Sequence, residues 1–159
     1  MDSAYAQWTS SYHTGIELID LQNNQLYQCF EELLRLLAQA DQQQQPLSIE
    51  PVRALLTRLS NYAQTQHVLE EMLLEQAAYP KLAQHRAEHI AFKAKLSQFD
   101  RALTQGHSPQ TIARSVHAEL NHWMQSHLAT QDQACIPYLK QVSGLTWLKR
   151  LWQWTKAAV

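Results

Sequence analysis

Glycine and proline are scarce in this 159-residue chain, with 3 and 5 copies. Tight β-turns depend on these residues, so their scarcity argues against a fold of many short strands. No apolar run approaches the roughly 18 residues that a membrane-spanning helix needs. A positively charged start followed by an apolar stretch is also missing, so nothing in the sequence indicates export. These absences predict a single helical, water-soluble domain.

Charge and cysteine are equally limited. The formal net charge is -1 and no basic block occurs, so we do not expect nucleic acid as a partner. The two cysteines, Cys29 and Cys135, are too few for a disulfide framework, which favours a reduced, cytoplasmic protein. Histidine, in contrast, occurs 8 times. Where those side chains point is the main question that the composition raises.

Helix-breaking residues divide the chain into segments. Breaks at 41–48, 78–80 and 105–109 separate four segments that are long enough for substantial helices, and a fifth short one follows Gly144. Long helices with short connections pack side by side in opposite directions. The sequence therefore predicts an all-α, antiparallel up-down four-helix bundle over residues 1–142, with an N-terminal loop. A short amphipathic helix is predicted over 143–159.

Polar residues interrupt the apolar stripe of every long helix. On a wheel of about 100° per residue, the residues inside the stripes are Asn23, Gln66, Glu70, His85, His89 and His127. His67 falls at the edge of its stripe, and Glu71 falls beyond it. Burying such groups without partners costs roughly 1–3 kcal/mol each. A metal held by histidine and carboxylate ligands from facing helices resolves that cost.

Three motifs resemble the bacterial hemerythrin family. Trp8 followed by GIELIDLQ at 15–22 is similar to the family's tryptophan and G-I-x-x-I-D-x-Q-H. Tyr79-Pro80 with H-x-x-x-H-x-x-F at 85–92 is similar to its third helix. WMQSHL at 123–128, with Asp132 five residues after the histidine, is similar to W-L-x-x-H-I-x-x-x-D. In order, these motifs span roughly residues 8–140.

The resemblance implies a non-haem iron site in the bundle core. The family holds two irons with five histidines, one glutamate and one aspartate, and binds O2 at one iron. By position, His85, His89 and His127 match the three histidines of the iron that does not bind O2, and Asp132 matches a bridging carboxylate. Asp132 lies about 140° around an ideal helix from His127. It is therefore selected by the resemblance and not by the wheel.

The family's second-helix His-x-x-x-Glu motif can be aligned in two ways. His67 and Glu71 preserve the motif but require a one-residue deletion before Tyr79-Pro80. The ungapped alignment places Gln66 and Glu70 at these positions, and we favour it because the wheel also places both residues inside. His67 could still contribute to a second site if the helix bulged or rotated locally.

In the ungapped alignment, two ligands of the O2-binding iron are amides: Asn23 stands at the family's first histidine and Gln66 at its second-helix histidine. Neutral amides are weak ligands beside imidazole. The expected set is therefore His85, His89, His127, Asp132 and Glu70, around one iron or another divalent metal, with a second iron held weakly. Asn23, Gln66 and His67 are expected beside the site or in a second one.

We therefore predict a hemerythrin-like non-haem metal-binding protein that senses O2, NO or redox state. Reversible O2 carriage in the family needs two irons acting together. No residue outside the site resembles a dedicated acid, base or nucleophile, so we do not expect an enzyme. Two alternatives stay open: a di-iron O2-binding bacteriohemerythrin if His67 completes the second site, and an interaction module that is metal-free or only structurally metallated.

The C-terminal segment suggests where a partner would bind. The segment combines Trp147, Trp152 and Trp154 with Lys149, Arg150 and Lys156, which predicts one short basic amphipathic helix. Such a helix packs on its own bundle in the simplest interpretation. It also suits a protein partner, a second copy of the chain or a membrane surface.

Overall fold

The computed structural model describes residues 12–143, which form five α-helices and one π-helical segment. These are α1 (Glu17–Gln43), α2 (Ile49–Gln76), α3 (Leu82–Thr104), α4 (Pro109–Trp123), the π-helical segment (Met124–Asp132) and α5 (Gln133–Ser143). Residues 12–143 contain no strand. Trp8 and residues 144–159, which carry most of the predicted C-terminal helix, lie outside the described range. The division into two units at 142–143 stays a prediction.

The helices pack as a four-helix bundle, as the sequence predicted. α1 contacts α2 and α4, and α3 contacts the same two helices. α4, the π-helical segment and α5 follow one another without a break and form the fourth rod. The loops are short, so consecutive helices run antiparallel. Across residues 12–143, no helix combines the length and apolarity that crossing a membrane requires.

Local side-chain contacts explain where α1 and α4 begin. The Ser108 hydroxyl accepts a hydrogen bond from the Thr111 backbone N–H, and Pro109 occupies the first turn of α4. Before α1, the backbone N–H groups of Thr14 and Gly15 donate to the Asp20 carboxylate. Gly15 has a φ of +75°, a left-handed conformation that favours glycine. These contacts fix the direction in which α1 enters the bundle.

A buried polar layer divides the hydrophobic core in two. On α1, Asn23 lies between Ile19, which belongs to the smaller cluster, and Leu26, which belongs to the larger one. On α2, Gln66 and Glu70 occupy the corresponding position between the two clusters. The fully or almost fully buried polar side chains of this layer are Asn23, Gln66, His67, Glu70, His85, His89, His127 and Asp132. The candidate site therefore lies inside the bundle and not on its surface.

Candidate metal centre

Four side chains from three elements converge in the polar layer. Glu70 of α2, His85 and His89 of α3, and His127 of the π-helical segment each offer one ligand atom, and these atoms lie within 4.8 Å of one another. All four residues are buried. The spacing of four between His85 and His89 places both rings on one face of α3. The structure thus brings together four of the five residues predicted as ligands.

Asp132, the fifth predicted residue, borders this group. Its Oδ1 lies 3.2 Å from His127 Nε2 and 3.8 Å from His85 Nε2. The ideal-helix wheel placed Asp132 about 140° away from His127. The backbone between them is π-helical, with i→i+5 hydrogen bonds, so residues five apart share a face. The π-helical segment is the physical reason why Asp132 reaches the site.

Two of the histidines are held from outside by carboxylates. His89 Nδ1 lies 2.7 Å from Glu71 Oε1, and His127 Nδ1 lies 2.7 Å from Glu88 Oε2. An ionised carboxylate only accepts hydrogen bonds, so each Nδ1 must donate. In the neutral rings, each Nε2 then carries a lone pair, and the two Nε2 atoms are 3.1 Å apart. Two converging lone pairs at this distance require a cation or a proton between them.

His85 has a different outer partner. Its Nε2 lies 3.3 Å from Glu70 Oε2, and its Nδ1 lies 3.9 Å from the sulfur of Cys135. Cys135 is fully buried, and burial raises the pKa of its thiol to about 12. The sulfur therefore stays protonated at neutral pH and contacts His85 as a weakly polar group.

The unpartnered atoms of the layer fit a metal. Within residues 12–143, Glu70 Oε1 and both carboxylate oxygens of Asp132 accept no hydrogen bond although they are buried. Leaving buried acceptors unsatisfied is costly, and a divalent cation would satisfy all of them at once. Imidazole nitrogen with carboxylate oxygen is a donor set that suits iron, manganese or zinc. Glu70, Asp132 and the three histidines would hold such an ion.

The electrostatics of the layer also favour a cation. Burial and the neighbouring Asp132 raise the pKa of Glu70, because two carboxylates resist ionising together. Burial lowers the pKa of His89 far below its usual range. Burial acts in the same direction on His127, but the nearby Asp132 carboxylate, together with Glu70 and Glu88, outweighs burial and raises the pKa of His127. The carboxylates around His127 therefore favour a positive charge in this layer, and a bound metal ion would supply it.

The amides on the other side of the layer are paired with neighbours. Asn23 is fully buried, and its Oδ1 accepts a hydrogen bond of 3.3 Å from the Tyr62 hydroxyl. Gln66 Nε2 donates to Glu70 Oε2 at 3.0 Å. Glu70 points into the layer while Glu71 contacts the outer face of His89, which is the geometry of the ungapped alignment. A ligand role for Asn23 or Gln66 stays a prediction.

His67 lies deeper than the wheel placed it. We expected this ring at the edge of the α2 stripe, but it is fully buried and stacks on His89 with 3.7 Å between ring centroids. The reason is that α2 contacts α1, α3, α4 and α5, so an unusually wide arc of its surface is covered. Neither ring nitrogen has a hydrogen bond within the described residues. Burial lowers the pKa of His67 to about 2, which keeps the ring neutral.

Sequence reasoning assigned no role to the outer carboxylates. Glu88 was not singled out, and Glu71 was considered only as a ligand in the gapped alignment. The signal was in the sequence: Glu71 directly follows Glu70, and Glu88 directly precedes His89. A side chain next to an inward-pointing residue lies at the flank of its helix, where a carboxylate can reach the outer nitrogen of a buried ring.

A four-helix bundle whose core combines histidines and carboxylates from facing helices defines a class of metal-binding proteins. Comparison with known proteins identifies the family. The family model described as the Hemerythrin HHE cation binding domain matches residues 14–139. The chain belongs to the hemerythrin family, and it is a hemerythrin-like iron-binding protein.

Individual relatives agree with this assignment. A bacteriohemerythrin of Stenotrophomonas maltophilia is 25% identical over 133 residues, which cover 84% of this chain and 80% of the relative. A bacteriohemerythrin of Pseudomonas paraeruginosa is 25% identical over 129 residues, 81% of this chain and 78% of that protein. A bacteriohemerythrin of Pseudomonas aeruginosa is 24% identical over 129 residues, which cover 81% of this chain and 78% of that protein. The similarity extends over most of each sequence.

Proposed function

We propose that this chain holds one non-haem iron at His85, His89, His127, Glu70 and Asp132, and uses it to sense O2, NO or redox state. The observation that supports the proposal is the asymmetry of the polar layer. One side presents converging imidazole lone pairs and unpartnered carboxylate oxygens. The other side presents amides that are hydrogen-bonded to neighbours.

The residues of the site have different roles in this proposal. The three imidazoles and two carboxylates would hold the iron, and the rings of His67, Phe92 and Trp123 pack beside the site, with His67 stacked on His89 and Trp123 stacked on Phe92. Bound iron supplies a redox-active centre with affinity for O2 or NO. Asn23 and Gln66 offer no imidazole to a second iron, so the paired irons on which reversible O2 carriage in the family depends are not expected here.

One observation favours a two-iron alternative. His67 is fully buried beside His89, and both of its ring nitrogens lack hydrogen bonds within residues 12–143. A buried polar ring without partners is costly. His67, together with Glu70 and Asp132, could hold a second iron, which would remove that cost. This arrangement would require the ring to leave its stack on His89.

Elemental analysis of freshly purified protein against amino-acid quantitation tests the proposal. We expect one iron per chain, and oxidation of the reduced protein by O2 without a reversible adduct. Two irons per chain with an O2 adduct that leaves on degassing would contradict the proposal and support the His67 alternative. A chain that binds no metal would contradict both.

The remaining parts of the proposal concern context. We propose that the chain senses without catalytic turnover, that it acts in the cytoplasm, and that a protein partner or second copy binds the tryptophan-rich segment 145–159. The composition supports the cytoplasmic location, since both cysteines are free and buried. The amphipathic pattern of 145–159 supports the partner contact.

A further inference from the structure

We infer that Glu71 and Glu88 are positioning residues of the metal centre, which fix the ring tautomer and orientation of His89 and His127. The inference depends on the metal site alone and not on what the bound metal senses. Each carboxylate lies 2.7 Å from an Nδ1 atom, the shortest hydrogen bonds made by the three site histidines. Each therefore lies on the side of the ring opposite to the Nε2 atom that faces the site.

The geometry separates this role from ligation. A carboxylate at Nδ1 cannot also reach the point where the Nε2 atoms of His89 and His127 converge, because the imidazole ring lies between. What it can do is hold the proton on Nδ1, so that the Nε2 lone pair is available before any metal arrives. A hydrogen bond to an anion also increases the basicity of the imidazole and so strengthens it as a ligand.

The two carboxylates are not equivalent. Glu71 is one-fifth exposed and also accepts a hydrogen bond of 3.3 Å from Arg86 Nε, while Arg86 Nη2 donates to Glu75. Glu88 is one-third exposed and lines a surface pocket of about 530 Å³ together with Trp123 and His127. Glu71 is thus restrained by a cation, whereas Glu88 connects a buried site histidine directly to solvent.

His85 provides an internal contrast. Its Nδ1 faces the Cys135 sulfur at 3.9 Å and no carboxylate. A thiol is a weak donor and acceptor. We therefore expect two of the three histidines to carry a strongly hydrogen-bonded, slowly exchanging Nδ1 proton, and His85 to differ from them.

The test uses the full chain, with Zn²⁺ as the probe because it has no redox chemistry. Glu71→Ala and Glu88→Ala remove the two contacts at little risk to the helices, since alanine is the best helix former. Glu75→Ala and Glu119→Ala are matched controls: Glu75 shares Arg86 with Glu71, and Glu119 shares the pocket with Glu88. Zn²⁺ affinity is measured by competition with a chromophoric chelator, and the imidazole N–H protons of the loaded protein by NMR.

We expect each positioning variant to lose about 10- to 100-fold in Zn²⁺ affinity and one downfield imidazole N–H signal. The controls should change affinity by less than about twofold, because Glu75 is exposed and screened by salt, and neither Glu75 nor Glu119 has a hydrogen bond to a site histidine among those described. Glu71→Gln and Glu88→Gln keep an acceptor oxygen and should recover part of the loss. Equal affinities in all variants, unchanged N–H signals, or a parent chain that binds no Zn²⁺ would overturn the inference. Failure of the sensing proposal alone would leave these results unchanged.

Discussion

The two sides of the polar layer show how similar burial can lead to opposite chemistry. On the histidine side, the outer nitrogens of His89 and His127 are satisfied by carboxylates, and the inner nitrogens are left as acceptors. On the amide side, the Tyr62 hydroxyl donates to Asn23, and Gln66 donates to Glu70. On the histidine side, several acceptor atoms converge without donors. On the amide side, most acceptors are paired with a donor.

The difference shows that ligand chemistry depends on the direction of the polar atoms as much as on their burial. Asn23 Nδ2, which lacks a hydrogen bond within residues 12–143, is a donor and repels a cation. Glu70 Oε1 and the Asp132 oxygens lack hydrogen bonds too, but they are acceptors and attract one. Burying either kind without a partner is costly. Only the second kind is relieved by a metal.

Removing a ligand from the histidine side should have the largest effect. His127→Ala deletes one of the two converging Nε2 atoms, and we expect metal affinity to fall by more than the roughly 100-fold that loss of an outer contact causes. Iron content after anaerobic reconstitution measures the effect. His122→Ala, an exposed histidine five residues earlier, is the matched control. Equal iron content in both variants would contradict the assignment of the site.

Converting the amide side into a histidine side should remove the asymmetry. Asn23→His combined with Gln66→His supplies imidazoles where the two amides now lie. We expect the iron content of the double variant to rise from one towards two per chain. The iron content of each single variant should lie between that of the parent chain and that of the double variant. The measurement is iron quantitation together with the ligand-to-metal absorption of the oxidised protein. A double variant that still binds one iron would show that the amides are not what limits the second site.

His67 gives the smallest expected effect, and it appears in the pH dependence of stability. The pKa of His67 falls from 6.5 to about 2 on folding. Below pH 6.5 the unfolded chain therefore binds a proton that the folded chain does not, and stability decreases as the pH falls. Between pH 7 and pH 5 this one group costs about 2 kcal/mol. In metal-free His67→Leu, that part of the loss should disappear.

Urea denaturation of the metal-free chain at both pH values checks the His67 prediction. His107→Leu, an exposed loop histidine, is the control and should keep the pH dependence of the parent chain. If the free energy of unfolding depended on pH equally in the parent chain and in His67→Leu, folding would not lower the pKa of His67, and the prediction would be wrong. Unchanged iron content in His67→Leu would also separate this effect from the two-iron alternative.

Much of the site could be predicted from the sequence because α-helical periodicity governs most of the bundle. Gln66 and Glu70 fall inside the α2 stripe, as do His85 and His89 on α3, and all four are buried. The four-helix architecture followed from the breaks between apolar stripes. Both predictions depend on residues that lie near the centre of a stripe. There, an error of a few tens of degrees in the position around the helix does not change whether a side chain is buried.

The residues that sequence reasoning misplaced lie where that periodicity is weakest. His67 lies at the margin of its stripe, and the width of the buried arc depends on how many neighbours a helix has. Asp132 depends on a π-helical backbone that the wheel does not describe. Glu88 acts from a flank, in contact with a histidine of another helix. Each case requires tertiary information that one helix does not contain.

The π-helical segment also sets the rotational phase of everything that follows it. In an α-helix, one residue corresponds to about 100° of rotation. The face of α5 that carries Cys135, Leu139 and Val142 packs in the smaller hydrophobic cluster only at its present phase. The number of residues in the π-helical segment therefore determines two things together: which face of α5 meets the core, and whether Asp132 reaches His127. A one-residue deletion within the segment would turn both away together, and point substitutions that keep the backbone would leave both in place.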